Sequence, residues 1–188
     1  MKKYEDNILK LSLVLFTIAG FSAFILSLVY SFTQPKIKDN QLKKEQANIR
    51  IIMPEVKSFE KKNSYYIIYS DTEKKNIIGY IFKTAAKGYG GNVICNIGIN
   101  IKGEVTGVVV VSHSETPGLG SKIEEVKKGE KEPFFLRQFK GKTHNKINFE
   151  NIEAITGATI SSKAVLNCVK EAFKIFVRVL KNSKKEQF

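Results

Sequence analysis

Residues 92–112 read NVICNIGINIKGEVTGVVVVS, and this stretch decides the fold. Asn92–Ile101 and Val105–Ser112 are both rich in Val and Ile, which suit a pleated, half-buried surface. Lys102-Gly103-Glu104 between them is short and polar with a central glycine, so the pair reads as an antiparallel hairpin. Toward the N-terminus, Asn76–Thr84 (NIIGYIFKT) and Ser64–Ser70 (SYYIIYS) have the same strand character. Toward the C-terminus the pattern changes. Ser121–Lys128 (SKIEEVKK) opens on a good capping residue and is expected to be helical. From Ile160 to Leu180, Ala164, Val165, Cys168, Val169, Ala172, Phe173, Phe176, Val177 and Leu180 fall on one broad helical face. Lys163, Lys170, Lys174, Arg178 and Lys181 occupy the other. Strands first and helices after is the order of an α+β domain on an antiparallel sheet. No βαβ alternation with GxGxxG appears, which argues against a Rossmann nucleotide fold.

Upstream of the strands, Leu11–Phe32 contains no charged residue and is closed by Lys10 and Lys36. At about 1.5 Å per residue a helix of this length crosses a hydrocarbon layer of ~30 Å. Ser31-Phe32-Thr33-Gln34-Pro35 is a poor cleavage context, so the segment reads as an uncleaved anchor rather than a removed signal peptide. Lys2, Lys3 and Lys10 outweigh Glu5 and Asp6 in the head, which favours keeping the head in the cytoplasm. A mostly polar helix is expected over residues 36–54.

The chain carries 31 Lys and Arg against 18 Asp and Glu, a net charge of +13. The charge is spread, Lys dominates over Arg, and there is no zinc-knuckle spacing, RNP-like stretch or helix-turn-helix signature, so nucleic acid is not an expected partner. A solvated Lys-rich surface accounts for the charge; anionic lipid headgroups or an acidic partner are the alternative. Cys95 lies in a strand-like run and Cys168 on the apolar helix face, where both serve as small buried hydrophobes. Without a CxxC, and with His113 and His144 far apart, no metal site is expected.

Three segments carry chemistry. Thr156-Gly157-Ala158-Thr159 is a small-residue turn feeding the last helix, whose N-terminus offers free N–H groups and a positive dipole end to an anion such as phosphate. Gly157 and Ala158 keep the backbone approachable, and Thr159 sets a hydroxyl at the mouth of that anion site; an ordinary Ser/Thr cap would read the same way. The second segment, Glu115-Thr116-Pro117-Gly118-Leu119-Gly120, follows His113-Ser114. Pro117-Gly118 defines a turn, Leu119 can pack on a flat ring, and Glu115 is a nearby polar acceptor. The third, Gly88-Tyr89-Gly90-Gly91, opens a strand and could equally be a glycine-rich bulge.

Along the chain these segments run Gly88–Gly91, Glu115–Gly120, Thr156–Thr159, and in that order, behind an N-terminal anchor, they resemble the G subunit of the Rnf (Rsx) electron-transport complex. They also resemble the C subunit of the sodium-pumping NADH:quinone reductase, which shares the FMN-binding domain. The resemblance implies a cytoplasmic head at 1–10, a transmembrane signal anchor at 11–34, a helical connector at 35–60 and an extracytoplasmic FMN-binding domain at 61–188. It implies that a flavin transferase moves FMN from FAD onto Thr159 as a phosphoester. Glu153 stands where the family commonly has Asp, and Thr156 where it has Ser or Thr. Glu115–Gly120 and Gly88–Gly91 would line the flavin. The implied role is an electron carrier within a complex of membrane and peripheral subunits that couples ferredoxin and NAD to ion movement. Catalytic residues and metals are not implied. The alternatives are the quinone-reductase subunit and a non-redox anchored scaffold.

Overall fold

The computed structural model describes residues 2–185. The chain divides into two compact units, Met1–Gln46 and Ala47–Phe188. The first consists of most of helix α1 (Lys2–Ile52), which continues through Pro35. Pro35 has no N–H to give the helix. Just upstream, Thr33 Oγ1 donates to the Val29 carbonyl at 2.7 Å and Ser31 Oγ to that of Ser27 at 2.9 Å. The apolar part reaches a mean hydropathy of 2.3 with none of it buried, and Phe16 and Phe32 are each 76% exposed. This helix is long and apolar enough to cross a membrane.

The second unit is built on an antiparallel sheet of five strands in sequence order: β1 (Ser58–Lys61), β2 (Tyr65–Tyr69), β3 (Ile77–Lys87), β4 (Asn92–Asn100) and β5 (Val105–Ser112). The α+β class read from the sequence is the class observed. The hairpin over 92–112 forms, with Gly98 opposite Gly107 and Cys95 opposite Val110. Its connection is closed by Asn100, whose side-chain oxygen accepts from the Lys102 and Glu104 amides while Gly103 takes a φ of +80°.

The long helix α3 (Thr159–Lys185) covers one face of the sheet. Its buried stripe of Ala164, Val165, Cys168, Val169, Ala172, Phe173 and Phe176 meets Tyr80, Phe82, Val93, Cys95, Ile97 and Ile99. Both cysteines are fully buried free thiols. A hydrogen bond with Cys168 and then burial push the Cys95 thiol well above its usual range. The sheet's other face holds a smaller cluster, in which Ile49, Ile52 and Met53 pack on Tyr66, Ile68 and Ile81.

Two features depart from expectation. Ser121–Lys128 is not a helix: only a 3-10 turn over Gly120–Glu124 forms, and Glu125 is extended at φ −71°, ψ 123°. Ser121 Oγ is taken by the Gly118 amide at 2.9 Å, and Ile123 is buried while Val126 is 49% exposed, so no continuous apolar stripe sustains a helix. A four-residue helix α2 (Phe134–Arg137), unforeseen in the sequence, buries Phe135 and Leu136. After α1 ends at Ile52, residues 58–61 form the edge strand β1 rather than helix.

Candidate functional site

The β3–β4 turn, the loop after β5 and the N-terminus of α3 meet around a cavity of about 510 Å³. Its lining is Tyr89, Glu115, Thr116, Leu119, Gly120, Gly157, Ala158, Thr159, Ile160 and Ser161. All three glycine-containing segments therefore contribute to one site. Gly88, Gly90, Gly91, Pro117, Gly118 and Thr156 do not line it. Thr156 borders a separate polar cavity with Lys122, Lys127, Arg137 and Glu153.

Glu115 holds the three segments together. The residue is 5% exposed. It accepts from the Tyr89 amide at 3.2 Å, from the Gly90 amide at 3.1 Å, and from the Ser161 hydroxyl. Burial alone would raise its pKa, but the Ser161 hydroxyl, the two amides and His113 outweigh burial and hold the carboxyl below its usual range. The Glu115 amide in turn donates to His113 Nδ1 at 3.1 Å, and His113 Nε2 lies 3.1 Å from Glu124. His113 is thus an orienting residue of the loop.

The glycines gain a structural explanation here. A Cβ on Gly88 would run into the Glu115 carboxylate, one on Gly90 into the Ser114 carbonyl, and one on Gly120 would come within 2.6 Å of Ser161 Oγ. These positions are small so that the clasp can close. Gly118 and Gly157 do a different job, holding turns at φ +75° and +78°.

The turn before α3 is fixed by Ser162 and Gln138. Ser162 Oγ accepts from the Ile155 amide at 3.1 Å and donates to the Ala158 carbonyl at 3.0 Å. Gln138 brackets Glu153, donating to its carbonyl at 3.1 Å and accepting from its amide at 2.9 Å. Helix α3 then begins at Thr159 with no acidic residue in its first turn. The Thr159, Ile160 and Ser161 amides have no intrahelical acceptor and stand at the positive end of the dipole, while the Ser162 amide donates to the Ala158 carbonyl at 3.0 Å. Thr159 is exposed, whereas Ser161 and Ser162 are 2% and 1% exposed and already committed. Around the opening stand three exposed apolar side chains: Tyr89 at 73%, Leu119 at 51% and Ile160 at 51%.

Free amides, an accessible hydroxyl and an apolar rim suit a ligand that joins a phosphate to a flat ring, and FMN is such a ligand. Ser161, Ile160 and Gln138 were not singled out from the sequence. Ser161 lies two residues after Thr159, but nothing local marks it as the partner of a carboxylate on a distant loop.

Residues 88–174 match the family model of the FMN-binding domain, and residues 1–51 that of the RnfG N-terminal region. The class is thus a flavin-domain protein behind a helix long enough to cross a membrane. The G subunit of the proton-translocating ferredoxin:NAD(+) oxidoreductase complex of Clostridium ljungdahlii is 32% identical over 177 residues, 90% of this chain and 92% of that protein. The G subunit of the Na(+)-translocating ferredoxin:NAD(+) oxidoreductase complex of Acetobacterium woodii is 29% identical over 198 residues, 93% and 94% of the two chains. The chain belongs to the family of G subunits of the Rnf ion-translocating oxidoreductase complexes. Among solved structures, Shewanella oneidensis NqrC is similar at a TM-score of 0.45 and 20% identity over 65% of each chain.

Proposed function

We propose that this chain carries one FMN, ester-linked through its phosphate to Thr159 Oγ1, and relays electrons as a subunit of a membrane-bound ferredoxin:NAD-type ion-translocating oxidoreductase. The observation that carries the reading is the convergence of three separated segments on one cavity whose wall includes an exposed Thr159 at the start of α3. When bound, FMN supplies the redox chemistry, and the protein supplies position and electrostatics.

Each residue has a role under this reading. Thr159 provides the attaching oxygen. Loading forms the bond from Thr159 Oγ1 to phosphorus and breaks the phosphoanhydride of FAD; AMP leaves and the hydroxyl proton passes to the transferase or solvent. Exposure favours Thr159 over its neighbours Ser161 and Ser162, which are buried and hydrogen-bonded. The first amides of α3 receive the phosphate oxygens. Leu119, Tyr89 and Ile160 give the ring an apolar bed. Helix α1 anchors the chain in the membrane, with the head cytoplasmic and the flavin domain outside. Lys36, Lys38, Lys43 and Lys44 then meet lipid headgroups, and the partners are the other subunits of the complex.

The match of residues 1–51 to the RnfG N-terminal region favours this complex over the quinone reductase. The test is in-gel fluorescence after denaturation, with a flavin transferase co-expressed. Wild type and Thr159→Ser should fluoresce and Thr159→Val should not; a dark wild-type band returns the chain to the scaffold reading.

A further inference from the structure

We propose that the buried carboxylate of Glu115 is an electrostatic element of the site, a fixed negative charge in the cavity wall that makes a flavin bound there harder to reduce. This rests on the FMN reading above and adds to it a function for a residue that the ligand does not need as a hydrogen-bond partner.

Glu115 lines the cavity, yet its carboxylate oxygens are engaged by the protein itself: the Tyr89 amide, the Gly90 amide and the Ser161 hydroxyl. Such donors stabilise the ionised form without removing its charge. Among the described residues, no Lys or Arg forms an ion pair with it. His113, the ionisable side chain nearest along its own loop, receives the Glu115 amide on Nδ1 and faces Glu124 through Nε2. Reduction adds negative charge to a flavin ring, and a fixed anion in a partly desolvated wall opposes that addition. If the carboxylate served only to tie loops together, a neutral amide of the same shape would replace it without electronic consequence.

The experiment uses the full-length flavinylated chain in detergent and reads the flavin midpoint potential in three proteins. Glu115→Gln keeps the shape, an acceptor for Gly90 and a donor toward Ser161, while the Tyr89 amide loses its acceptor; its potential should move to a more positive value. Ser161→Ala loses a clasp hydrogen bond but keeps the charge, and its potential should move by clearly less than that of Glu115→Gln at neutral pH. Equal shifts in both variants, or no shift in Glu115→Gln, overturn the proposal. Where Glu115→Gln does not fold, redox-difference infrared spectra of wild type decide: an ionised carboxylate band must shift on reduction, and its absence overturns the proposal. A wild-type chain that takes up no FMN, bound or free, fails the functional reading itself and this inference with it. A flavinylated chain with unmoved potentials fails the inference alone.

Discussion

Glu115 and Ser161, 46 positions apart, share a buried hydrogen bond that joins the loop after β5 to the first turn of α3. With the Tyr89 and Gly90 amides on the same carboxylate, one side chain sets the relative placement of all three segments that form the cavity.

The clasp gives stability a pH signature. The folded pKa of Glu115 lies below the ordinary 4.5, so its ionised form contributes fully above pH 4.5. That contribution is lost as the pH falls from there through the folded value. Thermal unfolding of wild type should therefore weaken below pH 4.5, and Glu115→Gln should show a shallower decline over the same window. Glu115→Ala, which strands three donors, should lose about 2–3 kcal/mol at neutral pH by denaturant titration.

Neighbouring glycines should respond unequally. A Cβ at Gly90 overlaps the Ser114 carbonyl, part of the backbone, whereas one at Gly91 meets Ser114 Cβ at 3.2 Å. Gly90→Ala should destabilise by about 2 kcal/mol or more, and Gly91→Ala by less than about 1 kcal/mol, measured as shifts in the unfolding midpoint.

Much of this arrangement was legible in advance. Branched residues gave β4 and β5, the apolar spacing from Ala164 to Phe176 gave the buried face of α3, and the small residues before Thr159 marked a helix N-terminus. These are local patterns, and local chemistry enforces them. The helix expected at Ser121 failed because the Gly118 amide claims the Ser121 hydroxyl. The reason for Gly88, Gly90 and Gly120 was hidden for a related cause. They are small to admit Glu115, Ser114 and Ser161, side chains and backbone that only the folded chain brings near. Gln138 carries no local signal either, because its two bonds to Glu153 bridge a gap of 15 residues.

The boundary of the second unit can be tested by truncation. Removing residues 1–46 deletes the apolar helix but keeps Ile49, Ile52 and Met53 on the sheet. That fragment should be soluble and folded by circular dichroism. Removing residues 1–53 uncovers Tyr66, Ile68 and Ile81, and should lower stability by several kcal/mol, by the usual scale for losing large buried side chains.

Cys95 and Cys168 should be silent toward a thiol reagent in the native protein, since both are fully buried and Cys95 is further held in its protonated form. Mass spectrometry should count two alkylated thiols only after unfolding. Alkylation of the native chain at a rate near that of the denatured one would show that α3 does not stay packed on β4.

The most direct test of the central claim is the intact mass of the chain, purified from cells with an active flavin transferase and measured under denaturing conditions, with peptides mapped across residues 147–163. The account predicts the added mass of one FMN, localised to Thr159 and absent from Thr159→Val. An unmodified Thr159 in that material, or a flavin mass on another residue, would contradict it.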